Sequence, residues 1–394
     1  MDVDPVFERI MVFKQKRLSI VIMNKYIHKP IHFMFGMLFC LLAATNGLAQ
    51  EKHIAASIDS SLYLDVDGNV WSWGDTKLPR EFNRRIPYMV MQNGRSVLAS
   101  PDEPKSFVIK QDGSLWGWGA SNWGQLGIIH EIGSKEGSFL STPRKIMDQV
   151  KDVSGNGTIF ALRLDGTLWV WGSAGPQRGD KSDKDWTDPH KVMDEVELVS
   201  STFAHTVVLK KDGILWAWGN NQCGALGMGN TEKHLKPVKV NVAPLGNRKV
   251  VQIATRWGET YLLADDGTVW YSGEYNIRRE GCLDPLHLVP TKLDTIDNVK
   301  AIALGQFHEL YLKKDGSVWA SGYGVAARAP LETVPTGLGK VMDDVVEIAG
   351  GQSHSIALKK DGTVWVWGEN DLGQLGNGTN TGSATPVQVH FPKP

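Results

Sequence analysis

Three histidines share one place in a recurring pattern and could bind a metal ion. His205, His308 and His354 each lie seven residues before an aspartate that is followed by glycine. Three converging histidine side chains are a common zinc-binding set. The same position in four further copies of the pattern holds Ser60, Lys105, Thr158 and Glu259. These residue types do not complete a ligand shell, so we interpret the histidines as structural and predict neither a metal site nor a cofactor.

Four acidic residues are candidates for acid/base chemistry. They are Asp59, Asp102, Glu103 and Glu259. A carbohydrate-active or hydrolytic enzyme would need two such carboxylates within about 5–10 Å of each other. The sequence contains no His-Glu-x-x-His, Cys-x-x-Cys, Gly-x-Ser-x-Gly or phosphate-binding glycine motif. We therefore favour a non-enzymatic protein without catalytic residues, and a carbohydrate-active or hydrolytic function is the alternative.

Charge and composition narrow the class of protein. The 394 residues include 42 Lys and Arg against 43 Asp and Glu, a balance that disfavours a general nucleic-acid-binding role. Hydrophobic residues make up 42% of the chain, which is enough for a folded core. The 42 glycines and 15 tryptophans indicate many short strands joined by tight turns.

The first fifty residues have the pattern of an export signal. An apolar run covers residues 31–44, two lysines precede it and small residues follow it. We predict a signal peptide at residues 23–49, cut between Ala49 and Gln50, and assign residues 1–22 to a start codon placed too early. The protein is then exported to the periplasm or the extracellular space. An uncleaved N-terminal anchor is the alternative.

Two cysteines remain beyond the predicted signal peptide, Cys223 and Cys282. In an oxidising compartment they could form a disulfide. Two unpaired, partly buried thiols are the alternative, and the sequence does not decide between them.

The pattern Asp-Gly-x-x-Trp occurs seven times and organises the rest of the chain. Its copies are spaced by about 49 residues, so seven units account for residues 50–394 and we predict one domain there. The aspartates of the seven copies are Asp67, Asp112, Asp165, Asp212, Asp266, Asp315 and Asp361.

Each copy has the features of a β-hairpin. The side chains five and three residues before the aspartate are apolar and share one face of a strand. Asp-Gly suits a tight turn, and Trp-x-Trp-Gly follows it in five copies. We expect these tryptophans to pack between neighbouring sheets. A proline followed three residues later by an apolar residue marks a further strand, which suits the outer edge of a sheet.

The order of these strands predicts how the units assemble. We place each proline-marked strand before the hairpin of its own unit, which leaves the first unit without one. The last such strand, at residues 386–389, has no hairpin after it. The predicted fold is therefore an all-β, seven-bladed β-propeller of four-stranded blades, in which the C-terminal strand completes the first blade and closes the ring.

The last copy resembles a known repeat family. The segments Gly350–Leu358, Val364–Gly368 and Asn370–Gly376 are similar to the regulator of chromosome condensation repeat. The resemblance implies the propeller fold. Some members resemble nuclear exchange factors for a small GTPase, and others are exported bacterial propellers that include a secreted β-lactamase inhibitor. The export signal and the lack of a basic tail disfavour an exchange factor, and the setting resembles that of the secreted inhibitor.

Three aromatic residues in successive units indicate a binding surface. Phe203, Trp257 and Phe307 lie one or two residues before the histidine position, where the loops of a propeller form a ring on one face. The residues that flank them are His205, Arg256, Glu259 and His308. Because aromatic residues beside arginine are typical of hot spots, we predict that this face binds a protein partner. We expect the protein to be monomeric and to bind no nucleic acid. Packing of the rings between units is the alternative, and Trp123 and Trp186 are the other loop tryptophans.

Overall fold

The computed structural model describes residues 51–75, 84–127, 139–180, 184–276, 281–282, 287–322 and 336–392. These residues form seven antiparallel sheets of four strands, arranged as the blades of a β-propeller. The predicted fold class is confirmed. The predicted signal peptide and its cleavage position between Ala49 and Gln50 lie outside the described residues. No helix in the described part of the chain is long and apolar enough to cross a membrane.

The strands are numbered in chain order. Blade 1 contains β1 (Ile54–Ala56), β2 (Ser60–Leu64), β3 (Val70–Gly74) and β4 (Tyr88–Met91). Blade 2 contains β5 (Gly94–Ala99), β6 (Lys105–Lys110), β7 (Leu115–Ala120) and β8 (Phe139–Met147). Blade 3 contains β9 (Val150–Gly155), β10 (Thr158–Arg163), β11 (Leu168–Gly172) and β12 (Trp186–Met193). Blade 4 contains β13 (Val196–Ser201), β14 (His205–Lys210), β15 (Leu215–Gly219) and β16 (His234–Lys239). Blade 5 contains β17 (Val250–Arg256), β18 (Glu259–Ala264), β19 (Val269–Ser272) and β22 (Thr291–Lys292). A separate two-stranded ribbon is formed by β20 (Tyr275–Asn276) and β21 (Gly281–Cys282). Blade 6 contains β23 (Val299–Leu304), β24 (His308–Lys313), β25 (Val318–Gly322) and β26 (Thr336–Met342). Blade 7 contains β27 (Val345–Gly350), β28 (His354–Lys359), β29 (Val364–Gly368) and β30 (Ser383–Gln388). Two 3₁₀ helices cover Pro176–Arg178 and Ala243–Leu245.

Within each blade the strands pair in chain order, and this order defines two faces of the ring. First strands of neighbouring blades lie side by side, as β1 does with β5 and β27, so they are nearest the axis. The Asp-Gly turns join second to third strands, and Gly68 in the first of them has a φ of 81°. We call the end with these turns the hairpin face. The opposite end, with the connections between first and second and between third and fourth strands, is the loop face.

The proline-marked strand is the fourth strand of its blade, so the predicted mode of ring closure is wrong. It follows the hairpin of its own unit, folding back to pair with the free edge of the third strand. Strand β4 thereby completes blade 1, and β30 pairs with β29 in blade 7. Every blade is continuous in sequence, and the C-terminal strand is not exchanged into the first blade.

Side-chain contacts close the ring between blades 7 and 1. The indole of Trp73 is fully buried, and its N–H donates to the carbonyl of Gln374 in blade 7 at 2.7 Å. Beyond β30, the ring of Phe391 packs on Tyr63 and Trp71, with centroid distances of 4.9 and 5.6 Å. The C-terminal segment therefore does bind blade 1, through an aromatic contact instead of a shared strand.

The second tryptophan of the Trp-x-Trp-Gly strand packs in the same way around the ring. Each of these side chains is fully buried and packs into a cluster with residues of the preceding blade, which confirms the predicted packing between sheets. The five residues are Trp73, Trp118, Trp171, Trp218 and Trp367. Removal of such a buried aromatic side chain typically costs about 3–5 kcal/mol.

Deleting residues 384–394 should destabilise the whole ring. The deletion removes most of β30, exposes the edge of β29 and removes Phe391 from blade 1. Thermal unfolding followed by circular dichroism should show a large loss of melting temperature. Phe391→Ala keeps the strand and should lower the free energy of unfolding by about 2 kcal/mol, since this ring is half-buried. An unchanged melting temperature in the deletion variant would contradict this account of closure.

Candidate functional site

The three histidines lie inside the ring, where each one bonds to the next blade. His205 is fully buried; its Nδ1–H donates to the Trp257 carbonyl at 3.1 Å, and its Nε2 accepts from the hydroxyl of Thr260 at 2.8 Å. His308 and His354, also fully buried, repeat the contact through hydroxyl groups at 2.9 and 3.0 Å. The structural interpretation of these residues is therefore supported, and no group of three metal-ligating side chains occurs among the described residues.

At the junction of blades 5 and 6 an ion-pair network takes the place of the histidine contact. Glu259 occupies the histidine position, and Glu309 occupies the position of the hydroxyl partner. Nη2 of Arg256 lies 2.6 Å from Glu259 and 2.5 Å from Glu309. Although burial opposes its charge, the two carboxylates raise the pKa of Arg256 well above its ordinary value. Burial raises the pKa of Glu309, and the charge of Glu259 raises it further, whereas Arg256 opposes both effects.

These contacts correct part of the predicted partner surface. The side chains concerned are enclosed between blades and already have hydrogen-bonding or ionic partners, so they hold the ring together instead of facing a partner. The four residues are His205, Arg256, Glu259 and His308. Sequence reasoning missed Glu309, and the position after the histidine position carries the signal for it. That position is Ser or Thr in five copies, and a glutamate replaces the hydroxyl residue where an arginine is available.

The three predicted aromatic residues do not form one cluster. Trp257 and Phe307 are half-buried, and Trp257 takes a left-handed conformation with a φ of 39° in the loop whose carbonyl accepts from His205. Phe203 is 36% exposed and packs edge to face on Trp123, which is equally exposed, at a centroid distance of 6.2 Å. Among the aromatic residues singled out from the sequence, the exposed pair on the loop face is thus Phe203 and Trp123, which we call the aromatic patch; Phe139, at the loop-face end of β8, is also exposed.

Trp186, the other loop tryptophan, has a structural role. It begins strand β12, and the guanidinium of Arg178 lies 4.1 Å from the centroid of its ring. Arg178 is fully buried and is also paired with Asp180. The ring of Trp186 therefore covers a buried guanidinium.

Cys223 and Cys282 form a disulfide, one of the two alternatives that the sequence left open. It ties the loop after the third strand of blade 4 to the ribbon strand β21. Cys223 has the same place in its repeat as Trp123 has in blade 2, so the disulfide lies on the loop face.

Three of the four candidate carboxylates lie in two groups on the loop face, and the fourth, Asp59, lies in the first loop of blade 1. Glu103 is paired with the fully buried Lys105, and Glu259 shares Arg256 with a second glutamate. Asp102 accepts a hydrogen bond from the amide of Asn156 at 2.8 Å. Burial and the charge of Glu103 raise the pKa of Asp102 to about 6. Both groups contain close carboxylates, but a buried cation neutralises a carboxylate in each, which does not favour acid/base catalysis.

Comparison with known proteins identifies the repeat. A sequence model described as "Regulator of chromosome condensation (RCC1) repeat" matches residues 112–157, 212–258 and 361–394, and a second model of that description matches residues 196–225 and 345–374. The chain contains RCC1 repeats. The matched segments contain the Asp-Gly turns and tryptophan strands of blades 2, 4 and 7, so the resemblance to this repeat family is confirmed.

Proteins with similar sequences are found among longer chains. Human E3 ubiquitin-protein ligase HERC2 is 30% identical over 367 residues, which cover 84% of this chain and 7% of that protein. The ultraviolet-B receptor UVR8 of Arabidopsis thaliana is 28% identical over 220 residues, 53% of this chain and 48% of the receptor. The match thus spans less than half the length of either relative.

Solved structures support the fold. Yeast RCC1 (Prp20), in its complex with Kap60, superposes with a TM-score of 0.68 at 21% identity over 88% of both chains. Human WBSCR16 gives a TM-score of 0.65 at 21% identity over 78% of this chain and 85% of its own. At this level of identity the similarity establishes the propeller architecture alone.

The buried histidines should make the ring less stable in acid. Burial lowers the pKa of His205 and His354 to about 4 and that of His308 to about 3, below the value of about 6.5 in an unfolded chain. Between these values only the unfolded state binds the proton, so stability present above pH 6.5 is lost as pH falls towards 4. Urea unfolding at pH 7 and pH 5 should show a loss of up to about 1.4 kcal/mol per pH unit for each histidine. His354→Gln should flatten this dependence, and His190→Gln, at an exposed position, should not; equal slopes in both variants would contradict the assignment.

Proposed function

We propose that this chain is an exported, non-enzymatic binding propeller that presents the aromatic patch on its loop face to a protein partner. The observation that carries the proposal is the edge-to-face pair of Trp123 and Phe203, each 36% exposed. Large rigid aromatic side chains contribute most of the affinity at many protein interfaces. The surrounding ring fixes their positions before binding, which reduces the entropy that binding must overcome.

The disulfide supports export. Disulfides persist in the periplasm and in extracellular spaces, whereas cytosolic thiols are kept reduced. The pair Cys223 and Cys282 therefore agrees with the signal pattern that precedes residue 50. Both observations favour a periplasmic or extracellular location for the propeller, where a partner would also have to be present.

The printed descriptions of the relatives suggest other activities, which remain with those proteins. The ligase name belongs to a protein of which this chain matches 7%. The yeast structure Prp20p is described with binding properties to Gsp1p and histones, at 20% identity. These descriptions support protein binding as the general role of such a propeller, and the balanced charge of this chain gives no separate support to a histone partner.

Removing the aromatic patch should abolish capture of the partner. Affinity capture from the native envelope and secreted fraction would compare the wild type with Trp123→Ala/Phe203→Ala. We expect a protein that the wild type retains and the folded double variant loses, because truncation of hot-spot aromatics typically costs at least about 2 kcal/mol each.

The control removes an exposed apolar side chain from the opposite face. Leu164→Ala lies on the hairpin face at a residue that is 49% exposed, and it should leave capture unchanged. Equal retention by the wild type and the double variant would contradict the patch as the binding site. Retention that is lost in Leu164→Ala alone would assign binding to the hairpin face.

A further inference from the structure

The junction of blades 2 and 3 contains two buried acceptor oxygens that lack a hydrogen bond. The amide of Asn156 donates to Oδ2 of Asp102 at 2.8 Å. The remaining oxygens, Asp102 Oδ1 and Asn156 Oδ1, are enclosed and have no partner among the described residues. A buried acceptor without a donor costs about 1–3 kcal/mol, so two in one pair are a substantial local deficit.

The charges around this pair do not balance. Glu103, next to Asp102, is neutralised by the buried ammonium of Lys105, which also donates to the Asn156 carbonyl at 2.5 Å. The positive charge of Arg256, in blade 5, lowers the pKa of Asp102, but this guanidinium is already bound to two carboxylates. The ionised form of Asp102 therefore leaves one negative charge uncompensated at this junction, and uptake of one proton removes it.

We propose that Asp102 and Asn156 form a proton-operated latch, in which a proton taken from solvent onto Oδ1 of Asp102 is donated to Oδ1 of Asn156. The carboxylic acid and the amide then exchange two hydrogen bonds, and both unpaired acceptors are satisfied by a single proton. The latch joins the first loop of blade 2 to the first loop of blade 3, at a junction that has no histidine contact. Burial and the neighbouring Glu103 raise the pKa of Asp102 to about 6, against the opposing effects of Asn156, Arg256 and Lys105.

The latch lies next to the aromatic patch. Asn156 precedes Gly157, and a Cβ on Gly157 would lie 2.7 Å from the ring of Phe203. Closure of the latch would therefore fix the backbone on which this ring rests. Its effect on a partner rests on the proposed function, but the latch itself is tested without a partner.

The test compares the wild type with Asp102→Asn, whose amide is a permanent substitute for the protonated acid. In the wild type the proton is bound in the folded state at pH values where the unfolded state, with a pKa of about 4, has lost it. Stability from this group is present below pH 4 and is lost as pH rises through 6. The folding equilibrium constant of Asp102→Asn should exceed that of the wild type by about a hundredfold at pH 7.5 and by about tenfold at pH 5.

The control is Asp148→Asn, an exposed carboxylate at 63% side-chain exposure between the same two blades, for which no such gap is expected. The proposal would be overturned if the folding equilibrium constants of Asp102→Asn and the wild type differed by the same factor at pH 7.5 and pH 5, or did not differ at either pH. If Asp102→Asn does not fold, hydrogen exchange of the wild type decides. After correction for intrinsic rates, the amides of residues 102, 103, 105 and 156–158 should be better protected at pH 5 than at pH 7.5, and equal protection would overturn the latch.

Discussion

Packing of each blade against the preceding one is the interaction on which the rest of this structure depends. A blade is a four-stranded sheet with two apolar faces, and neither face is covered until a neighbour is present on both sides. The buried tryptophan of each Trp-x-Trp-Gly strand covers the face of the blade before it. Trp73 extends this rule across the ends of the chain, so the ring closes by the contact that builds it.

Polar contacts between neighbouring blades add specific hydrogen bonds and ion pairs to this packing. A histidine bonded to a hydroxyl group joins three of the junctions, and a network of one arginine and two glutamates joins another. These contacts occupy the base of the loops on one face, which leaves the outer parts of the loops free to carry a function. The aromatic patch lies there, with the ring of Phe203 against the backbone of blade 3 at Gly157.

The fold could be predicted from the sequence because its signals are local. Asp-Gly turns, paired tryptophans and apolar alternation each specify a hairpin, and seven regular copies specify a ring. The mode of closure could not be predicted in this way, since a repeat of about 49 residues has no unique beginning. Only the pairing of β4 with β3 shows that the proline-marked strand ends a blade.

The candidate site was less predictable because its contacts join residues of different repeats. Arg256 has the residue type of a hot spot, yet its partner Glu309 comes from the next blade and turns it into a structural residue. Trp123 and Phe203 come from blades 2 and 4, and their contact depends on Gly157 between them. Loop length and the absence of a side chain at one glycine decide this arrangement, and neither has a periodic signal.

The most direct test of this account is the free energy of unfolding of Trp73→Ala measured beside Trp171→Ala and Trp218→Ala. If one type of contact builds and closes the ring, the three variants should each lose about 3–5 kcal/mol and agree within about 1 kcal/mol. A loss below about 1 kcal/mol for Trp73→Ala, with large losses in the other two, would show that the ends of the chain are held together by some other interaction.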